Sequence, residues 1–300
     1  MIQLHQKVKE KVKEYTNHRS EIASFYDARV ENLADLNARL AWTLTRPAHH
    51  HAGLVRLDAP VPDVSDPEVA MVWLYCTEEA LCDFLWTIIS GLSQLRPQQL
   101  LDLGCGEGGT AARFYELTER KDMTIAGVTL SPKQQQIAAH NCPSGEFVLG
   151  DMLSPDTLPG RRFEVVYAIE STEYLGTLGL AQLMQRVADW LVPHGLLVII
   201  AGTKSPKLPH DHPVVRAFDA HYKTQLSSSD DYRHVAASFG FKAAAEMDLA
   251  PVTLPYWRAR RDYPELRNSK DGSVENLISH VLETGQGEYR LWAWYRSGGE

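Results

Sequence analysis

The sequence predicts an α/β fold in which a doubly wound, mostly parallel sheet of seven strands follows an N-terminal helical segment. Three observations carry that reading. Seven short apolar runs, "QQLLDLG", "TIAGVT", "EFVLG", "FEVVYAI", "GLLVIIA", "FKAAAEMDL" and "EYRLWAWYR", have helical patterns between most of them, the alternation that builds a parallel sheet. The first run enters a glycine turn and then a helix in "LLDLGCGEGGT", Leu100 to Thr110. A length of 300 residues with 44% hydrophobic composition supports a substantial core, as one large domain with an appendage or as two small ones. The division expected is residues 1–65, a helical segment with a histidine-rich loop, and residues 66–300, the sheet-bearing domain.

Taken in order, the first 30 residues read as a helix with Leu4, Val8, Val12 and Tyr15 on one stripe and lysines on the other face. "ENLADLNARLAWTL" is a second helical stretch, and "TRPAHHHAGLVRLDAPVPDV", with three prolines, reads as an irregular loop. "SDPE" opens the next helix, with Ser65 or Asp66 as cap, Pro67 in the first turn and Glu68 completing a capping box; the apolar pattern runs to about Ile89. From there strands and helices alternate to the end, so ligands are expected beyond the carboxyl ends of the strands. Glu170, after the run Phe163 to Tyr167, sits at one such end.

A net charge of -8 argues against a general nucleic-acid binder. No apolar run approaches a membrane span and the first residues lack the apolar centre of a signal peptide, so the expectation is a cytoplasmic protein. Cys76, Cys82, Cys105 and Cys142 show neither CxxC pairing nor zinc spacing and read as four reduced thiols.

As a bare GxGxxG the glycine turn says little. Asp102 within "DLGCG" sharpens it, and so does Thr129 at the end of the second strand, where a nicotinamide-binding fold would carry an acidic residue for the ribose. "LDLGCGEGG" resembles the first motif of S-adenosylmethionine-dependent methyltransferases with the class I Rossmann-like fold, and "GVTLSPKQ" and "GDM" follow in that family's order. The resemblance implies a cofactor site made of Asp102, Gly104, Cys105 and Gly106 around the methionine part, Thr129, Ser131 and Gln134 near the ribose, and Asp151 and Met152 around the adenine.

Four further stretches, "HHHAG" (His49 to Gly53), "GVTLSPKQ", "ESTEY" (Glu170 to Tyr174) and "TLPYWRAR" (Thr253 to Arg260), resemble the geranyl diphosphate C-methyltransferases and their terpenoid-methylating relatives, and more distantly the sterol C-methyltransferases. The likeness covers most of the chain from about residue 22. It implies carbon methylation of an alkene in a prenyl diphosphate of geranyl, farnesyl or isopentenyl type. A neutral π bond needs no base to attack a sulfonium methyl group, but the resulting cation must lose a proton. A carboxylate serves twice there, stabilising positive charge in a dry pocket and then accepting the proton. Glu170 is the residue expected in that role; the plainer alternative is a glutamate that caps the following turn or pairs with an arginine. Glu173 falls where the family's motif varies and reads as its neighbour.

Tyr174, Tyr256 and Trp257 either present ring faces to the cation or pack in the core. His49, His50 and His51 alternate sides of an extended segment and so do not converge on one metal; they bind cofactor or phosphate, or they are structural. A tyrosine flanks this cluster in the family, whereas Ala48 and Ala52 stand here, which puts the acceptor's identity in question. Lys204, Lys207, Arg258, Arg260 and Arg261 are the cations expected near the mouth, with Arg258 in the substrate set. Magnesium would bridge a diphosphate through oxygen ligands that the sequence does not single out. The N-terminal helix either closes over the mouth, crosses to a second subunit of a homo-oligomer, as relatives suggest, or packs as a plain surface helix.

Three other readings stand beside the first: C-methylation of a prenylated alkaloid or other terpenoid without a diphosphate, O- or N-methylation of a polar metabolite, and a cofactor-binding sensor without chemistry.

Overall fold

The structure is a computed structural model describing residues 2–30, 32, 35–93, 96–120, 122–263 and 270–297, with side chains from residue 15 onward except 270–273. The stripe residues Leu4, Val8 and Val12 lie outside the described side chains. Three helices come first: α1 (Ile2–Arg29), α2 (Leu36–Leu44) and α3 (Pro67–Leu92). Then follow β1 (Gln99–Leu103), α4 (Gly109–Thr118), β2 (Thr124–Thr129), α5 (Pro132–Asn141), β3 (Glu146–Leu149), β4 (Phe163–Ile169), α6 (Gly176–Trp190) and β5 (Leu191–Lys204). The chain continues through α7 (Pro213–Tyr222), α8 (Ser229–Ser238), β6 (Phe241–Asp248), α9 (Ala250–Asp262), α10 (Lys270–Glu283) and β7 (Gly287–Arg296). All seven expected strands form, and β5 runs longer at both ends than its apolar run.

They make one sheet in the order β3-β2-β1-β4-β5-β7-β6, parallel except for β7, which is antiparallel to both neighbours. Side-chain alternation along each strand divides the core in two. Leu100, Ile125, Val165, Tyr167, Val198 and Ile200 face α3, α4 and α9, while Leu101, Ala126, Val166, Ala168, Ile199 and Trp292 face α6 and α8. The first of these layers also takes in Leu36, Leu40, Ala52 and Val55 from the N-terminal segment. A strand buried on both faces must be apolar throughout, which is why β1, β2, β4 and β5 stood out in the sequence; the edge strands β3 and β6 are mostly exposed or half-buried.

Helix starts follow cap chemistry. Asp66, not Ser65, caps α3, accepting from the backbone N–H groups of Glu68 and Val69. The third helical residue is therefore Val69, and the expected capping box with Glu68 does not form; Pro67 takes the first turn as expected. Asp35 caps α2 in the same way, and residues 46–65 hold neither strand nor helix, as the prolines suggested.

The turns that carry function sit at the carboxyl ends of β1, β2, β4 and β5. Gly104 and Gly106 adopt φ of 79° and 51° after β1, a region open to glycine at little cost. Glu170, after β4, holds φ at 47° although it is not glycine, and its N–H donates to Ile200 O at 2.9 Å. Such a conformation costs on the order of 1–3 kcal/mol and persists where the surroundings over-determine it.

Candidate active site

Two cavities open at this edge and meet at Glu170. The first is lined by Gly104, Gly106, Thr129, Ser131, Gln134, Asp151, Met152 and Ser171. The second, about 1140 Å³ of empty space, is lined mainly by β5, β7 and helices α7, α9 and α10, with Trp257, Phe218, Tyr222 and Val281 among its apolar walls. Tyr26, His50, Glu170 and Tyr174 line both.

The first cavity is built from backbone and short polar side chains. A Cβ at Gly106 would project into open space, its nearest neighbours Gln134 Nε2 at 3.9 Å and His50 Cδ2 at 4.0 Å; a Cβ at Gly104 would come to 2.3 Å from Ser171 Cβ. Gly108 caps α4 without a side-chain hydrogen bond, leaving the helix's first N–H groups facing the turn. Thr129 Oγ1 donates to Gln134 Oε1 at 3.0 Å and accepts from the Ser131 N–H at 3.2 Å, which fixes the turn after β2. Asp151 accepts from the Leu153 N–H at 2.8 Å and forms an ion pair with Arg19.

Two residues expected at this cavity do not line it. Asp102 lies beneath the glycine turn, 4% exposed, where burial pushes its carboxyl up to about 7 against the opposing Tyr167 hydroxyl. The Cys105 side chain turns inward against Gly127, where an added Cβ would sit 2.8 Å from Sγ. Strand alternation explains Asp102, which points from β1 into a core layer, while the turn itself folds the Cys105 side chain back against β2.

At the junction, Glu170 Oε1 accepts from the Ala52 N–H and the Tyr289 hydroxyl, each at 2.7 Å. Both donors are neutral, and Glu170 forms no ion pair with a described residue, so neither the capping nor the arginine-pairing alternative describes it. Burial raises its pKa, and the two hydrogen bonds oppose the rise. The loop that brings Ala52 here is pinned from both sides by Leu54 N–H to Thr77 O at 2.9 Å and Val55 N–H to Val252 O at 2.7 Å.

The histidines alternate as the extended segment requires. His50 enters both cavities and pairs with Glu107 at 2.9 Å. His49 and His51 turn back toward Cys82, whose Sγ lies 3.8 Å from His49 Nδ1 and 3.5 Å from His51 Nε2 and donates to Thr110 Oγ1 at 3.7 Å. Burial lowers the pKa of His51 to about 4 and that of His49 well below its usual value, so both rings are neutral packing elements. His49 lines neither cavity, in contrast to the substrate role expected of it; His51 touches the second.

The rings expected at the acceptor are present. Tyr256 and Trp257 line the second cavity, and Tyr174 lines both, its hydroxyl hydrogen-bonded to that of Tyr26. Arg258 does not face the cavity: helical spacing turns it outward to pair with Glu283 at 2.7 Å, and Arg260, one turn on from Tyr256, takes the inner face. Arg260 is held between Glu275 at 2.9 Å and Glu78 at 3.7 Å, with the Tyr256 hydroxyl donating to Glu78 Oε1 at 2.7 Å. Lys204 lines the cavity with its Nζ donating to Leu208 O at 2.7 Å, while Lys207 is exposed and outside it.

Helix α1 covers both openings. Tyr15, His18, Arg19, Ile22 and Ala23 border the first cavity, Phe25 and Arg29 the second, and Tyr26 both. It is latched by Ser131 Oγ to Asp27 and by His18 Nε2 with Tyr174 O at 3.2 Å. Tyr26, Tyr289 and Arg29 had no local signal in the sequence, because they meet Glu170 and its neighbours only through folding.

A methyltransferase domain matches residues 100–195, the segment from β1 into β5. Together with the sheet order and the glycine turn, this gives the chain a methyltransferase domain with the class I Rossmann-like fold. Within that class it resembles the geranyl diphosphate C-methyltransferases. It is 28% identical over 222 residues to the geranyl diphosphate 2-C-methyltransferase of Streptomyces coelicolor, 71% of this chain and 73% of that one. The solved Streptomyces coelicolor A3(2) enzyme, in complex with Mg2+, geranyl-S-thiolodiphosphate and S-adenosyl-L-homocysteine, superposes with a TM-score of 0.77 at 23% identity, covering 93% of this chain and 98% of that one. The 24-methylenesterol C-methyltransferase 2 of Oryza sativa subsp. japonica is 29% identical over 182 residues, 56% of this chain and 48% of that one. No described helix is long and apolar enough to cross a membrane.

Proposed function

We propose that the chain transfers a methyl group to an alkene carbon of an isoprenoid, in the first reading a prenyl diphosphate, and that Glu170 is its catalytic carboxylate. The observation that carries this is Glu170 at the junction of two cavities, held by two neutral donors so that its charge remains for a cation on the acceptor. The first cavity fits S-adenosylmethionine: the open cradle above Gly106 admits the amino-acid part, Thr129, Ser131 and Gln134 the ribose, and Asp151 and Met152 the adenine. The cofactor supplies an electrophilic methyl group.

The protein's own part begins once a cation exists on the acceptor. Glu170 stabilises it at short range in a site of low dielectric and then accepts the proton that forms the new alkene. Tyr174 and Trp257 border the same space, where a desolvated ring face contributes roughly 0.5–2 kcal/mol to a cation. Helix α1 excludes water, which would otherwise capture the cation.

The relatives named for geranyl diphosphate, one solved with Mg2+, support the first reading. Among the described residues, the grouping able to hold a metal is His49, His51 and Cys82, nitrogen and sulfur donors that do not suit magnesium. Magnesium therefore enters with a diphosphate rather than waiting in a protein cage, the usual habit of that ion.

One observation favours the second reading, a prenylated alkaloid or other terpenoid without a diphosphate. Cations along the acceptor cavity already have partners, Arg29 with Asp35 at 2.6 Å, Arg260 with Glu275 at 2.9 Å and Lys204 with Leu208 O at 2.7 Å, while Glu170, Glu173 and Glu288 line the same space. The experiment is mass spectrometry of products after incubation with S-adenosylmethionine, magnesium and, separately, dimethylallyl, isopentenyl, geranyl, farnesyl and geranylgeranyl diphosphates. Gain of one methylene unit on any of them establishes the first reading. Intact cofactor binding with no product from any removes it in favour of the second.

A further inference from the structure

The acceptor cavity has a polar end that the proposed chemistry does not use. Glu173 follows Glu170 by three residues, is 7% exposed and lines this cavity. Its Oε1 accepts from the Gly202 N–H at 2.9 Å, and its Oε2 is buried without a hydrogen-bond partner among the described residues. Two more buried polar atoms on the lining share that condition, Thr203 Oγ1 and Gln286 Oε1.

The sheet brings the three together. Glu173 is tied to Gly202; Thr203 comes next on β5 and pairs across to Glu288 on β7; the Ser205 N–H donates to Gln286 O at 2.9 Å, closing the same strand end. Leaving a buried polar group unsatisfied costs roughly 1–3 kcal/mol, and three such groups on residues that line one cavity mark a place where a ligand completes them.

We propose that Glu173, Thr203 and Gln286 form a second polar subsite of the acceptor cavity, which takes an uncharged hydrogen-bonding group of the acceptor, a hydroxyl, carbonyl or amide, and so places the alkene at Glu170. Burial first, and the charge of Glu170 second, push the Glu173 carboxyl up to about 8, so at neutral pH it is predominantly a carboxylic acid with an O–H to donate. Thr203 adds a hydroxyl and Gln286 an amide, a set that both donates and accepts. A diphosphate suits it poorly, since it would meet Glu170 and Glu288 on the same lining. Tyr289 links this end to the reacting end, its hydroxyl on Glu170 and its backbone opposite Gly202 in the β5–β7 register.

This inference rests on the alkene-methylation reading and chooses between its acceptors. Binding, rather than turnover, tests it. Geraniol, geranylacetone and N-geranylacetamide are titrated against the full chain saturated with S-adenosylhomocysteine, with geranyl diphosphate plus magnesium as the charged comparison. At least one neutral probe should bind, with Kd rising about tenfold in Glu173→Met and returning to within about twofold in Glu173→Gln, the range of one hydrogen bond. Affinity for S-adenosylhomocysteine should stay the same in both variants, which shows that they fold. A wild-type chain that binds none of the neutral probes, or a Glu173→Met variant that binds them all as well as wild type does, overturns the subsite. If the probes bind as expected but neither they nor geranyl diphosphate gain a methyl group from S-adenosylmethionine, the alkene-methylation reading falls and the subsite stands.

Discussion

The two cavities that share Glu170 are made by different means. Beneath the cover of α1, the cofactor cavity draws on turns directly following β1, β2, β3 and β4, so its floor is backbone and side chains a few residues apart: Gly104 and Gly106, Thr129 to Gln134, Gly150 to Leu153. The acceptor cavity collects Phe25 from α1, Thr203 from β5, Phe218 from α7, Trp257 from α9 and Tyr289 from β7, residues that only the fold brings together. Backbone geometry recognises a ligand that does not change; scattered side chains recognise one that does. A substitution in the first cavity should therefore abolish one function, and one in the second should redirect it.

The largest expected effect is at the residue common to both. Glu170→Gln should lower the rate of methyl transfer about a hundredfold or more, while cofactor affinity changes less than about threefold, as steady-state kinetics and calorimetry would read it. A variant retaining half its activity would mean that the carboxylate touches neither reaction step, and O- or N-methylation would return.

Next comes the backbone cradle. Gly106→Val fills the cofactor space and forces a branched residue to the φ of 51°, so S-adenosylhomocysteine should bind at least about tenfold more weakly while the acceptor cavity keeps its affinities. Equal losses at both sites would erase the contrast between them.

A smaller effect reports the acidity of the acceptor cavity. The Glu173 pKa is raised on folding, from 4.5 to about 8, so the folded chain holds a proton there that the unfolded chain has released. The stabilising contribution is complete below about 4.5 and is lost as pH rises through about 8. Glu173→Gln should therefore flatten the fall in melting temperature between those values, by a few degrees at the alkaline end for a chain of this size. Identical pH profiles for wild type and variant would show that Glu173 is ionised throughout.

The smallest is at Arg258, which faces solvent with Glu283. Arg258→Ala should change stability by no more than about 0.5 kcal/mol and methyl transfer by less than about twofold. A large loss would move that arginine back into the acceptor site.

The same division explains what the sequence disclosed. The central strands could be found because strands buried on both faces are apolar along their length, and the glycine turn because its φ values admit little else. Glu170 was legible as the carboxylate that ends β4. Asp102 and Cys105 were placed at the cofactor by nearness in sequence; alternation along β1 carried Asp102 into the interior, and the turn folded Cys105 back against Gly127. Arg258 was preferred to Arg260, although a helical wheel through Tyr256 selects the latter. Tyr26 and Tyr289 lie 144 and 119 residues from Glu170 along the chain, and no local pattern announces a partner so remote.

Helix α1 borders both cavities and is latched to the turns beneath each. Two ligands thus share one door. Under the proposed function, swinging it aside for the spent cofactor would uncover the methylated product as well. Turnover would then have a ceiling set by how often this one segment lifts, and solvent viscosity should slow an acceptor whose bond-making step is fast enough to reach that ceiling.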